Sequence, residues 1–149
     1  MKRLLCVFAI ISLVLVSCGK ETVTYTCTFS IVCDELLDSS ELDESKRELV
    51  PSDGYIFAPT EISFSKDESV FDVLKRVCLE NKIHLEYSEM PLYGTAYIEG
   101  IANLYEFDAG ALSGWVYTVN GESANYGASA YKLSDGDTVV WSYTVDGRD

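Results

Sequence analysis

Hydrophobic and polar residues begin to alternate at residue 22. Val23, Tyr25, Cys27, Phe29, Ile31 and Cys33 occupy one phase, and Thr22, Thr24, Thr26, Thr28 and Ser30 the other. A period of two places successive side chains on opposite sheet faces, so this is a strand with one buried face. Pro51-Ser52-Asp53-Gly54 is a turn. Two short strands are expected after it, Tyr55-Ile56-Phe57 and then Glu61–Ser65, with Ile62 and Phe64 inward. The period then changes. Phe71, Leu74, Val77 and Cys78 recur at helical spacing, while Lys75, Arg76 and Glu80 lie off that stripe. Ser69 opens the helix as an N-cap, with Asp72 three residues on as a short capping-box partner, and Asn81 can close it. Ile83, Leu85 and Tyr87 alternate again. After Pro91 and Gly94 comes Tyr97-Ile98-Glu99-Gly100-Ile101. Trp115, Tyr117 and Val119 lead to Asn120-Gly121, a tight-turn pair. Ser134-Asp135-Gly136-Asp137 is a second turn, and Val139, Trp141, Tyr143 and Val145 share a face of the last strand. A mixed sheet crossed by one main helix, with extra hairpins, is an α+β fold. Parallel strand pairing across that helix would make it β-grasp-like.

The N-terminus breaks this pattern. Lys2-Arg3 precede an uncharged apolar run from Leu4 to Val16, then Ser17-Cys18-Gly19. A basic start, a short apolar stretch and small residues before a cysteine make a secretory signal. The run is too short for a membrane span of about 20 residues. Leu15-Val16-Ser17-Cys18 fits the lipobox of bacterial lipoproteins. Residues 1–17 are therefore expected to be removed and Cys18 to be acylated, which places the protein on the extracytoplasmic face of a bacterial membrane. Residues 18–22 form a tether with a reach of roughly 15 Å, and 23–149 form one domain, a suitable length for a single core.

Composition narrows the partners. With Lys2 and Arg3 gone, nine basic residues face 24 acidic ones, a net charge of −15. Such a surface repels phosphate backbones, which argues against nucleic acid. It also disfavours lying flat on anionic lipid. Ten Tyr, six Phe and two Trp supply ample buried area and argue against disorder. The acidic stretch Asp34–Glu48 is expected as a surface excursion, with a short helix after Ser39 or Ser40.

Of the five cysteines, Cys6 leaves with the signal and Cys18 takes the lipid, so Cys27, Cys33 and Cys78 remain. Cys27 and Cys33 share a strand and lie roughly 20 Å apart, too far for a bridge that needs Cα atoms within about 7 Å. Two readings stay open: Cys78 paired with Cys27 or Cys33, or three buried free thiols. A metal site is not expected, because there is one histidine and no CxxC. Asp135 and Asp137 lack the bidentate carboxylate of a calcium loop. Nor does any catalytic set emerge. His84 lies on the polar side of its strand, the cysteines fall on apolar stripes, and no carboxylate pair has an apolar setting. An enzyme is not expected.

Several motifs carry a family resemblance. Gly100-Ile101-Ala102-Asn103-Leu104-Tyr105-Glu106-Phe107-Asp108 is followed by Leu112-Ser113-Gly114-Trp115-Val116-Tyr117-Thr118-Val119-Asn120-Gly121. Asn125-Tyr126-Gly127, Tyr131-Lys132-Leu133, Asp135-Gly136-Asp137 and Trp141-Ser142-Tyr143-Thr144 come next. Together they resemble a bacterial domain of unknown function that is similar to the C-terminal domain of transcobalamin and intrinsic factor. The resemblance spans roughly Val23 to Asp149. It implies a β-grasp-like fold of the soluble ligand-binding type, and a cobalamin-type ligand. Relatives often carry cysteines where this chain has Ala109, Ala128 and Val145, so their disulfide scheme does not transfer. The animal proteins hold cobalamin between two domains, of which this chain has only the smaller.

The resemblance also places Trp115 where such a domain faces its ligand. Tyr117, Tyr126 and Tyr131 can join it as an aromatic platform for a corrinoid, a glycan or a peptide. The competing reading makes Trp115 and Tyr117 core residues, as alternate aromatics on a strand usually are. Two functions follow: a non-catalytic module that captures a small molecule for a membrane transporter, or a surface protein-interaction or adhesion module.

Overall fold

A computed structural model describes residues 24–147 apart from Pro91, Tyr93 and Asn125. The expected signal, the acylated Cys18, the tether and Val23 lie outside the described residues. The chain forms an α+β fold around one main helix.

The Thr-rich alternation becomes β1 (Tyr25–Val32), whose Cys27, Phe29 and Ile31 are buried, as is Cys33 just beyond it. The two short strands expected next are a single ten-residue strand, β2 (Tyr55–Phe64). It pairs antiparallel with β1, and the register slips between Phe29 and Val32, opposite the Ala58-Pro59 segment. β2 is the sheet edge. An edge position and a bulge tolerate proline, which has no N–H for a ladder, so Pro59 does not end the strand.

The helix, α1 (Val70–Glu80), starts at a complete capping box. The Asp72 amide donates to Ser69 Oγ at 3.1 Å, and the Ser69 amide donates to Asp72 Oδ2 at 3.0 Å. Asp72 therefore closes the box despite its short side chain. The buried stripe is wider than Phe71, Leu74, Val77 and Cys78, since Val70 and Val73 are also buried.

β3 (Leu85–Met90), β4 (Thr95–Ile101) and β5 (Leu104–Tyr105) make a three-stranded antiparallel sheet. The two-residue turn into β5 places Ala102 and Asn103 at φ 53° and 64°. Both central residues of such a turn need positive φ, which alanine signals poorly. Then follow β6 (Gly114–Val119), the Asn120-Gly121 turn with φ 56° and 79°, β7 (Glu122–Ser123) and β8 (Thr138–Thr144). The main sheet has the order β2-β1-β8-β6-β7. Its central contact is parallel, with Thr28–Val32 beside Thr138–Ser142. First and last strands lying parallel, with a helix between them in the chain, give the β-grasp arrangement.

The acidic stretch departs from expectation. It contains two short 3-10 helices, Asp34–Leu36 and Glu44–Leu49. The second begins at Asp43, which accepts from the Ser45 amide, rather than after Ser39 or Ser40. It is not merely a surface excursion. Leu36 and Leu42 join Cys33, Leu104, Ala109 and Tyr143 in a core cluster apart from the helix–sheet core. Trp115 and Ile56 pack against both clusters. The bridge from Cys78 to Cys27 or Cys33 is not formed: all three are buried free thiols. Cys33 is held in the second cluster, while Cys27 and Cys78 pack as hydrophobes in the first.

Candidate functional site

The described residues between Ala124 and Leu133 have little regular structure, yet their backbone is held on several sides. The first amides of α1 have no partner within the helix. Here Val70 N–H donates to the Tyr131 carbonyl at 3.0 Å, and Phe71 N–H to the Ala128 carbonyl at 3.1 Å. Ser129 Oγ accepts from the Ala96 amide at 3.0 Å. Gly127 lies so close to Thr95 that a Cβ there would stand 2.0 Å from Thr95 Oγ1. An irregular loop is thereby locked between the helix start and the β3–β4 hairpin.

Two aromatic rings stand on this loop. Tyr126 is 67% exposed, and Tyr131 is half-buried with its ring 6.3 Å from that of Tyr126. Tyr126, Ala130, Tyr131 and Lys132 line an open hollow of about 330 Å³. Tyr117 lies beneath. It is only 9% exposed, its ring packs edge-on to Tyr131 at 6.3 Å, and its hydroxyl donates to the Tyr126 carbonyl at 2.6 Å. Burial, with Tyr131 adding to it, pushes the Tyr117 hydroxyl up to about 12. It stays protonated and remains a donor. Tyr117 supports the rim instead of forming it.

Trp115 stands apart from these three tyrosines. It lies on the same strand face as Tyr117, but its ring meets Tyr143 edge-on at 5.3 Å. Its indole N–H donates to the Leu104 carbonyl at 2.9 Å. The structure thus brings Tyr117, Tyr126 and Tyr131 together and places Trp115 at the junction of the two core clusters. The pattern of alternation could not separate these cases, because both side chains point the same way from one strand.

Two further hollows flank the loop. One, of about 270 Å³, lies between Phe71, Met90, Thr95 and Ser129. The other, of about 260 Å³, includes Tyr25, Lys66, Lys132 and Asp135. Neither is signalled by a motif, since each joins residues far apart in the chain.

The turn acids are committed to hydrogen bonds within the fold. Asp135 Oδ1 accepts from the Thr26 amide, Asp137 Oδ2 from the Ser134 amide, and Asp137 Oδ1 from Asn120 Nδ2. Among the described residues no group of three potential metal ligands occurs. His84 lies exposed just before β3 and outside the sheet, 3.0 Å from the Tyr105 hydroxyl and 3.6 Å from Glu86.

Residues 67–145, from just before α1 to just after β8, match the model of a family described as a domain of unknown function, DUF4430. The chain belongs to this DUF4430 family. The match contains α1, the loop and the three tyrosines. Among solved structures, this DUF4430 chain is similar to haptocorrin, crystallised in complex with Cbi, with a TM-score of 0.60 and 14% identity. That alignment covers 83% of this chain and 25% of the haptocorrin chain. The likeness shows a shared fold, the transcobalamin-like one. A protein of Ruminococcus gnavus ATCC 29149, described there as inferred to bind metal, aligns with a TM-score of 0.48 and 20% identity, over 80% of this chain and 96% of its own. No curated protein matches the sequence.

Proposed function

We propose that this chain is a non-catalytic, lipid-anchored ligand-binding module on the extracytoplasmic face of a bacterial membrane. In this reading residues 1–17 are the signal, Cys18 carries lipid, 18–22 are the tether and 23–149 the binding domain. The observation that carries it is the Tyr126–Tyr131 hollow. An exposed aromatic on a loop with a fixed backbone presents its ring without having to order the chain, which lowers the cost of binding. Concave sites of this kind favour small ligands with flat apolar faces. The fold shared with haptocorrin makes a corrinoid the first compound to try, with a membrane transporter as the recipient. Haptocorrin's own binding is a property of a chain four times the aligned length.

The test is thermal melting of a form starting after Cys18, screened against corrinoids, tetrapyrroles and cell-wall sugars. A ligand at a hundred times its dissociation constant adds about 2.7 kcal/mol. Tyr126→Ala should abolish that shift and leave the unliganded melting point unchanged. A well-folded sample that shifts with none of them moves the reading to a protein-interaction or adhesion module. Phe107 and Leu112 favour that second reading: they are 62% and 69% exposed on one loop, with Phe107 at φ 69°. A bulky residue in that backbone region is strained, and such strain collects at functional surfaces.

A further inference from the structure

The chain approaches its expected anchor at the same end of the fold as the aromatic loop. β1 begins at Tyr25, which shares a hollow with Lys66, Lys132 and Asp135. Lys132 also lines the Tyr126–Tyr131 hollow. Ser129 joins that loop to the β3–β4 hairpin tip, where Met90, Gly94 and Thr95 lie around it. At the tip Leu92 is 88% exposed and Met90 is 36% exposed. Five residues separate Thr24 from Cys18, so the lipid lies within about 20 Å of this end. The Phe107–Leu112 loop lies past the far end of β1, a strand length of roughly 25 Å further away.

We propose that the β3–β4 hairpin tip, through Leu92 and Met90, seats in the interfacial layer of the bilayer that holds the Cys18 lipid, as a second membrane contact that fixes the domain's orientation. This rests on the lipid anchoring proposed above. The occupant is lipid because the tether brings the tip to the bilayer, and an exposed leucine there loses contact with water on burial. The contact is apolar. Lys66 and Lys132 at this end are offset by Asp67, Asp135 and Glu89. Docking should therefore proceed on zwitterionic lipid and gain nothing from anionic lipid. It turns the Tyr126–Tyr131 hollow toward the membrane plane, within reach of a membrane-embedded recipient.

The test uses the full lipidated protein in phosphatidylcholine vesicles, with Leu92→Cys or Leu79→Cys carrying an environment-sensitive fluorophore. The native thiols are buried and leave the introduced one to react. Leu79 is 81% exposed near the end of α1, a helix that starts beside the loop and carries it about 14 Å away. A blue shift and quenching by brominated acyl chains at position 92, absent at position 79, is the expected result. Quenching at both positions alike, at 79 alone or at neither overturns the docking, as does a blue shift at 92 already present in the form starting after Cys18 in buffer without lipid or detergent, which would signal contact between copies. Mass spectrometry of the N-terminal peptide separates the two proposals. An unmodified Cys18 overturns both; an acylated Cys18 with a water-exposed position 92 overturns only the second contact.

Discussion

Cys27, Cys33 and Cys78 serve as small hydrophobes in this fold. Burial pushes Cys33 and Cys78 up to about 12 and Cys27 up to about 11. Asp137 adds to the shift at Cys27, and Asp34 and Asp53 at Cys33. The reactive species is the thiolate, so these thiols should be inert while the fold persists. In a form starting after Cys18, an aromatic disulfide reagent at pH 8 should react at the rate of unfolding, then release three equivalents in denaturant. A prompt native reaction would contradict the burial, and one equivalent instead of three would show a bridge. The sequence left free and bridged cysteines open because alternation specifies which face a cysteine occupies, not which cluster that face meets. The same limit applies to the aromatics. The exposure of Tyr126 was legible in Asn125-Tyr126-Gly127, whereas separating Tyr117 from Trp115 requires knowing what packs over each.

The helix shows where local sequence suffices. Its start is specified by Ser69 and Asp72, and removing the cap with Ser69→Ala should cost about 1 kcal/mol, read as a lower denaturant midpoint. Asp72 adds a pH dependence. Burial raises its pKa, but hydrogen bonds from the Ser69 side chain and amide, with Lys75 nearby, outweigh this and hold it below the usual 3.8. A depressed folded value means that the stabilisation is fully present above the unfolded value and is lost as pH falls through the folded one. Asp72→Asn should accordingly be less stable than the parent at neutral pH. The gap should narrow as the pH is taken down through the carboxylate range; a constant gap would show that the charge plays no part. What local sequence could not convey is that the next two helix amides are capped by carbonyls of Ala128 and Tyr131. Backbone acceptors carry no residue signature, so the rigidity of the candidate site was invisible in the sequence. The two short strands expected at Tyr55–Phe57 and Glu61–Ser65 are one for a related reason: an edge bulge carries the pairing across residues 58–60, Pro59 included.

At the scale of the molecule, the α+β class followed from the periods, but the strand order did not. The parallel contact joins β1 and β8 at opposite ends of the chain, and nothing in either strand's own pattern names its partner. The second core cluster was hidden as well, because Leu36 and Leu42 sit in a stretch whose acidity reads as solvent-exposed. Trp115 is where these unread features meet. It packs on the helix–sheet core and on the Leu36–Tyr143 cluster, and its indole N–H closes onto Leu104. Trp115→Ala would remove the ring from both clusters and break the indole hydrogen bond to Leu104. The expected loss is about 3 kcal/mol or more of global stability. Tyr126→Ala removes a ring that is mostly in water and should leave stability nearly unchanged. The pair makes a sharp contrast in one denaturation series. If Trp115→Ala instead unfolds like the parent and only ligand affinity falls, Trp115 belongs to the binding surface and the two clusters are held together without it.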